Sequence, residues 1–331
     1  MRVLVIKMSS LGDVIHTLPA LTDAAKAIPG IKFDWVVEEA FTEIPAWHPA
    51  VERVIPIALR RWRKTPWSSF GGPQWKKFRA DLGRHHYDAV IDPQGLLKSA
   101  IISRLVRAPR FGMDKKSARE RLAALFYHHK ISVPRDMHAV QRIRLLFARA
   151  LAYGLPAEKG DYGVRATLKL GADKLPASVL FFHGTARAEK LWPEEKWIEL
   201  ARRLAQRNYN VWLPWGSAQE KERAQRIAER SPNAQVLPRL DLLGLASMLM
   251  EVDGAVAVDT GLAHLSAALD VPTVSLYGPT SIELIGAYGR NQAHIASPIG
   301  VEDTQDPLAM MNSIDSAEVE TQLFELLSGA R

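Results

Sequence analysis

Near the start of the chain an apolar run passes through a small polar turn and delivers an acid: Val3-Leu4-Val5-Ile6-Lys7-Met8-Ser9-Ser10-Leu11-Gly12-Asp13-Val14-Ile15-His16. A carboxylate in such a turn can take a proton from a substrate hydroxyl. Residues 3–6 have the composition of a buried parallel strand, and ligands of open α/β sheets sit at the carboxyl ends of their strands. Asp is also a good N-terminal cap, and a helical pattern follows, so spacing alone leaves Asp13 as catalyst or as cap.

The second half collects its polar chemistry in three loops, each after a short apolar run: His183-Gly184-Thr185-Ala186-Arg187-Ala188-Glu189-Lys190, Pro214-Trp215-Gly216-Ser217-Ala218-Gln219-Glu220, and Asp259-Thr260-Gly261-Leu262-Ala263-His264. The last opens a helix. Gly261 lets backbone amides approach a phosphate, and the helix adds its positive end. Lys190 and Arg187 can supply charge for a diphosphate. Thr260 or Asp259 could instead be a helix cap, and His264 a hydrogen-bonded core histidine.

Absences narrow the chemistry. No Gly-x-Gly and no GxxxxGK[ST] occurs, which argues against dinucleotide-dependent dehydrogenases and P-loop nucleotidases. No Asp-x-Asp occurs either, so the expected site is metal-free and relies on Lys190 and helix dipoles. With zero cysteines, thiolate nucleophiles, disulfides and cysteine-ligated metals are excluded.

The elements that must position these residues alternate. In the first half residues 3–6, 33–37, 51–57 and 89–91 read as strands, with helical stretches such as 18–27 between several of them. Over 139–151, Val140, Ile143, Phe147, Ala150 and Leu151 form an apolar stripe, with Arg142, Arg144 and Arg149 off it. Glycines and prolines loosen the pattern near 152–178, and a linker is expected over 161–177. The alternation then restarts: strands at 178–182, 211–213, 236–237, 254–258 and 273–277, helices at 194–206, 218–230, 242–251 and 262–269. The expected fold is α/β, with Rossmann-like domains over 1–160 and 178–314.

At 331 residues, 47% hydrophobic and 24% charged, the composition is that of a soluble chain of about two domains. No apolar run approaches a membrane span and the start lacks the layout of a signal peptide, so a cytoplasmic location is expected. The net charge of +7 is unevenly placed: residues 1–160 hold 27 Lys/Arg against 14 Asp/Glu (+13), and residues 161–331 hold 16 against 22 (−6). A basic half suits an anionic partner. Its densest cluster is Arg60-Arg61-Trp62-Arg63-Lys64, which could otherwise be a solvated face. No nucleic-acid-binding motif or basic-aromatic alternation accompanies it, so no nucleic-acid partner is expected.

The ordered blocks Lys7-Met8-Ser9-Ser10-Leu11-Gly12-Asp13-Val14-Ile15-His16-Thr17-Leu18-Pro19-Ala20, Trp35-Val36-Val37-Glu38-Glu39, Asp92-Pro93-Gln94-Gly95-Leu96-Leu97-Lys98-Ser99, Leu213-Pro214-Trp215-Gly216, Val258-Asp259-Thr260-Gly261-Leu262-Ala263-His264-Leu265 and Tyr277-Gly278-Pro279-Thr280 resemble the lipopolysaccharide heptosyltransferases from end to end. The resemblance implies a GT-B architecture, two Rossmann-like domains with parallel sheets facing a central cleft. It implies inverting transfer of L-glycero-D-manno-heptose from ADP-heptose to the Kdo of Kdo2-lipid A. A sister activity adding the second heptose, or a non-catalytic sugar-nucleotide binder, stands as the alternative.

By the same resemblance Asp13 is the general base and Lys190 pairs with the departing diphosphate. Thr185, Ala186, Glu220 (ribose), Leu240 (adenine pocket), Asp259, Thr260, Gly261 and His264 complete the donor side. Ser10, Gly12, Arg60, Arg61, Arg63, Lys64, Arg119 and His138 are assigned to the acceptor. Trp62 and Trp67 are expected to touch sugar or the membrane interface. Members often carry a second hydroxyl residue after Thr185; Ala186 here forgoes one phosphate hydrogen bond, roughly 1 kcal/mol. No cofactor and no metal is expected, the chain is expected to act as a monomer, and it would meet the anionic cytoplasmic face of the inner membrane peripherally. Residues 315–331 are expected to form a last helix packing back on the first domain.

Overall fold

The computed structural model describes residues 1–64, 71–168, 175, 177–300, 303–304 and 306–329. The chain divides into two compact units, Met1–Leu168 and Lys169–Arg331. The first unit is built on six parallel strands, β1 (Arg2–Ile6), β2 (Lys32–Glu38), β3 (Val51–Ile57), β4 (Ala89–Asp92), β5 (Arg110–Met113) and β6 (His129–Ile131), in the order β3-β2-β1-β4-β5-β6. The second unit repeats the plan with β7 (Ser178–Phe182), β8 (Asn210–Leu213), β9 (Ala234–Val236), β10 (Gly254–Val258), β11 (Thr273–Tyr277) and β12 (Gln292–Ala296), in the order β12-β11-β10-β7-β8-β9. Each is a Rossmann-like sheet whose strand order reverses between its first and fourth strands, β1/β4 and β7/β10. The crevice outside the carboxyl ends at such a switch point is where open α/β sheets bind ligands.

Helices cover both faces of these sheets, so the central strands carry no polar alternation. Val3, Leu4, Val5 and Ile6 of β1 are all fully buried. Leu4 and Ile6 share a core with Ile55, Trp62, Phe78, Tyr87 and Ile102. On another side of the unit the helices Leu18–Ala27 and Ala139–Ala150 pack together, and Phe147 meets Phe33 at 6.3 Å between ring centres. In the second unit Phe181, Trp192 and Trp197 centre a core that extends through Val256, Val274 and Ile295.

Several expectations need correction. The tract 161–168 belongs to the first unit, with Tyr162 and Val164 buried in it, rather than to a linker. The helix Ser316–Gly329 packs on the second unit's own sheet and on the helix Glu194–Gln206, with Val319, Leu323 and Leu327 in that core. Its apolar face is therefore used within the second unit. Arg144, read as lying off the core face, is buried and its guanidinium spans both oxygens of Asp23, at 2.6 and 3.3 Å. Trp62 is buried in the core and cannot present its ring to a sugar or a membrane; Trp67 lies outside the described residues. β5, β6 and β12 have no counterpart among the expected strands.

Candidate active site

At the switch point of the first unit, β1 ends at Ile6 and the chain turns through Lys7 to Ser10 into the helix Leu11–Ile15. Three contacts fix this loop. The Trp35 indole N–H donates to the Lys7 carbonyl at 2.9 Å, the Met8 amide donates to the Gln94 side-chain oxygen at 2.7 Å, and the Gln94 amide group donates to the Ser9 carbonyl at 3.1 Å. Gln94 is itself set by Asp92, whose carboxylate accepts the amides of Gln94 and Gly95 at 2.9 and 3.2 Å and the Tyr127 hydroxyl at 2.7 Å. Gly95 follows this Asx turn in the left-handed region, φ +63°, which a glycine adopts without steric cost.

Asp13 occupies the third position of its helix. One carboxylate oxygen accepts the Ser10 amide and hydroxyl at 3.0 and 3.1 Å, and the other lies 3.3 Å from the buried Lys7 ammonium. Burial alone would raise the pKa of Asp13. The charges of Lys7 and His16, with the two bonds from Ser10, outweigh it and hold the carboxyl well below the usual carboxylate range. The N-cap of this helix is Ser10 and not Asp13, which closes the capping box from the third helical position while remaining ionised. Gly12 is buried within the same helix and its carbonyl accepts from the His16 amide. The His16 ring packs edge-on against His138 at 5.9 Å, and His138 caps the helix Ala139–Ala150 by accepting the Val140 amide.

The basic cluster lies just past β3, in the short helix Leu59–Trp62 and the two residues after it. Arg60, Arg61, Arg63 and Lys64 are exposed, but Arg61 is committed: it pairs with Glu39 at 2.9 Å and donates to Gln74 at 2.8 Å. Arg61 also helps line a pocket of about 200 Å³ with Trp62, Gln74 and Lys77. Arg60 stands over the Phe41 ring at 5.5 Å. Lys98, in the first turn of the helix Leu97–Ser103 after β4, joins this group: burial first, and then the neighbouring charges of Arg63 and Arg60, push its pKa down against the pull of Glu38 and Glu120. Arg119 is exposed, its backbone set against Gly95, and the next residue, Glu120, accepts the Leu97 amide at 2.6 Å.

The second unit places its candidate residues at the matching switch point. Past β7, Thr185 donates its hydroxyl to the Asp259 carbonyl at 3.0 Å, and the turn Ala188–Lys190 brings the Lys190 ammonium to 2.5 Å from the Asp259 carboxylate. Past β10, Thr260 is at the N-cap of the helix Gly261–Ala268, yet its side chain makes no cap bond. Asp259 does not cap either, because its carboxylate is held by Lys190. Neither side chain therefore covers the positive end of that helix, where the Ala263 amide donates to the Thr260 carbonyl at 3.2 Å, and that end can face an anion. His264 is buried on the same helix.

Glu220 lies in the first turn of the helix Ala218–Glu229 that follows β8. One of its carboxylate oxygens takes the amides of Gly216 and Ser217 at 2.7 and 3.0 Å, and Ser217 caps the helix Ala218–Glu229 in return. The other faces Gly184, where an added Cβ would stand 2.5 Å away. Leu240 follows β9, half-buried beside Gly244 at the start of the helix Leu242–Glu251, which Asp241 caps. Ala186 and Arg187 are exposed, and Arg187 approaches Glu189 at 3.9 Å. His183 is fully buried and shifted to about 4 by burial and by the Arg223 charge, so it is neutral and holds the Pro214 carbonyl at 3.1 Å as a structural bridge between β7 and β8.

Sequence reasoning gave no role to Lys7 or Lys98. Both stand inside quoted motifs, and the signal that could have marked them is a lysine within reach of a strand's carboxyl end. Among the described residues no group of three or more His, Asp or Glu could hold a metal.

Two Rossmann-like units, one with an ionised acid and the other with a lysine and an uncapped helix at the switch point, make a glycosyltransferase of GT-B type. The family model described as glycosyltransferase family 9 (heptosyltransferase) matches residues 75–312, and the chain belongs to that family. It is 57% identical to a Pseudomonas aeruginosa protein named lipopolysaccharide heptosyltransferase 1 over 298 residues, covering 90% of this chain and 84% of the relative. Among solved structures it is similar to E. coli heptosyltransferase WaaC with ADP, at TM-score 0.92, 47% identity, 98% of this chain and 100% of that one. It is also similar to the same enzyme with ADP-2-deoxy-2-fluoro heptose, at TM-score 0.87, 46% identity, 98% of this chain and 99% of that one.

Proposed function

We propose that this chain transfers L-glycero-D-manno-heptose from ADP-heptose to the Kdo of Kdo2-lipid A, with inversion at the anomeric carbon. The observation that carries this reading is its 57% identity over 90% of its length to a lipopolysaccharide heptosyltransferase 1. Local geometry supports a role for each residue.

Asp13, ionised and fixed by Ser10 and Lys7, accepts the proton of the Kdo hydroxyl as that oxygen forms its bond to the anomeric carbon. The bond from that carbon to the diphosphate oxygen breaks on the opposite side, and its electron pair leaves with ADP. Lys190 and the positive end of the helix after Thr260 meet the charge that develops there. Lys190 is already ion-paired with Asp259, so the diphosphate competes with that carboxylate for the ammonium, and Thr185 holds the Asp259 backbone in place. Glu220 keeps one oxygen for the ribose hydroxyls, Leu240 lines the adenine pocket, and His264 orients the donor.

On the acceptor side Arg60, Arg63, Lys64, Arg119 and Lys98 are the cations that meet phosphate and carboxylate, with Ser10, Gly12 and His138 shaping the base's surroundings. Arg61 is spent on Glu39 and contributes less. A substrate carried in the inner membrane implies peripheral association, and no helix among the described residues is long and apolar enough to cross a membrane.

Purified protein incubated with ADP-heptose and deacylated Kdo-lipid A tests this. One heptose is expected on the Kdo-ended acceptor, at the same rate with EDTA present. Transfer only to an acceptor that already carries one heptose would replace the reading with the second transfer, binding without turnover would leave a sugar-nucleotide binder, and loss of rate in EDTA would overturn the metal-free site.

A further inference from the structure

The 3₁₀ helix Arg121–Phe126 turns two of its apolar residues away from the core. Leu122 and Leu125 are 61% and 72% exposed. Side chains three apart on a 3₁₀ helix eclipse one another, so the two leucines form one outward ridge. The inner side is filled by Ala123, packed with Ala100 and Tyr127, so the ridge is the outer edge of a well-anchored element. The helix Leu97–Ser103 packs beside it and adds Ile101, 47% exposed. One turn on from Ile101, the Arg104 guanidinium sits over the Phe126 ring at 5.8 Å.

The rim of this ridge is cationic. Residues 97–131 hold nine Lys/Arg against two Asp/Glu. Arg104, Arg107, Arg119 and Arg121 are exposed, and among the described residues none has a carboxylate partner within ion-pair distance. Arg104 and Arg110 crowd one another: burial, and then the Arg104 charge, lower the pKa of Arg110. Unpaired like charges around exposed leucines are costly in water alone and favourable where phosphate headgroups neutralise the cations and hydrocarbon takes the leucines.

We propose that the ridge of Leu122, Leu125 and Ile101, ringed by Arg104, Arg107, Arg119 and Arg121, docks this chain on the surface of an anionic phospholipid bilayer. Exposed leucines beside unpaired cations are the chemistry of a fluid anionic interface, which takes hydrocarbon and charge together. The ridge is continuous with the acceptor side through Arg119 and Glu120, which lie against the loop after β4. The proposal rests on the acceptor reading above to the extent that a lipid-borne acceptor gives the docking its purpose.

The test is co-sedimentation of the full chain with acceptor-free vesicles of phosphatidylglycerol and phosphatidylethanolamine, against phosphatidylcholine alone. Wild type is expected on the anionic vesicles only. Leu122→Ser with Leu125→Ser should lower its partition about tenfold, as expected from removing two partly inserted leucines. Leu308→Ser, an equally drastic change at a 58% exposed leucine of the second unit, should leave it unchanged. Arg104→Gln with Arg121→Gln gives a second, independent pair with the same expected loss. The leucine pair should keep wild-type turnover on soluble deacylated acceptor and lose it only on acceptor presented in vesicles. Wild-type vesicle binding by both double variants overturns the docking surface. So does a wild type that turns over soluble acceptor but binds no anionic vesicle, an outcome that leaves the transferase reading standing. Vesicle binding without any turnover would do the reverse.

Discussion

The Lys7 ammonium lies 3.3 Å from one carboxylate oxygen of Asp13 while Ser10 holds the other, so the acid at the first switch point is ionised, oriented and partly neutralised before any substrate arrives. A carboxylate so placed is deprotonated throughout and above the ordinary carboxylate range.

Asp13→Ala should lower kcat by about 10²–10⁴-fold with little change in donor KM, the range expected for loss of a positioned general base. Because the same carboxylate accepts the Ser10 amide, the variant should also lose about 1 kcal/mol of stability, read by denaturant unfolding. Full turnover in Asp13→Ala would remove the base assignment and leave only the cap.

Lys7→Met should separate the two effects of that lysine. Lys7 lowers the Asp13 pKa, so without it the carboxyl titrates higher and the acid limb of the kcat/KM profile moves to higher pH. The folded state of wild type binds this proton less readily than the unfolded chain, whose reference pKa is 3.8. The stability Asp13 contributes is therefore present above that value and lost as pH falls below it. The variant should lose less between neutral and acid pH than wild type does. An unmoved acid limb would show that Lys7 does not set the protonation of the base.

Much of this layout is legible in the chain. The apolar runs of β1, β7, β10 and β11 announce buried parallel strands, and the turns that follow them carry the candidate chemistry. β6 reads His-Lys-Ile at a sheet edge with two exposed residues, and a three-residue strand with that composition leaves no periodic signal. Trp62 and Arg144 were misplaced for a different reason. A basic run around Trp62 suggests solvent, yet the tryptophan is the one member that turns inward. Arg144 is buried by a partner 121 residues away, Asp23, and no local pattern encodes that distance. The same holds for the Lys190–Asp259 pair, where each residue was placed at a strand end but their contact was not foreseen.

Thr260 offers a test that distinguishes a binding hydroxyl from a structural one. Ser217 and Asp241 both cap their helices, at 3.2 and 2.8 Å, and replacing either by Ala should cost about 1 kcal/mol. Thr260 holds the equivalent position but makes no cap bond, so Thr260→Ala should leave the melting temperature near wild type while the donor KM rises several-fold. A stability loss equal to that of Ser217→Ala, with donor KM unchanged, would return Thr260 to the role of cap.

Gly184→Ala probes the donor side through backbone proximity. The new Cβ would stand 2.5 Å from a Glu220 carboxylate oxygen and 2.8 Å from its carboxyl carbon. A free glutamate end could swing aside, but this one is held by the amides of Gly216 and Ser217. Relief of the clash must break those bonds or shift β7 against β8. The variant is expected to lose about 1–2 kcal/mol of stability, in the range for overpacking combined with a lost cap. If Glu220 also holds the ribose, donor KM should rise as well, and Glu220→Gln should raise it in a fold that keeps its cap geometry. Calorimetric titration of ADP against the two variants reads this directly: unchanged ADP affinity in both would take Glu220 out of the donor site and leave it as the anchor of its own helix.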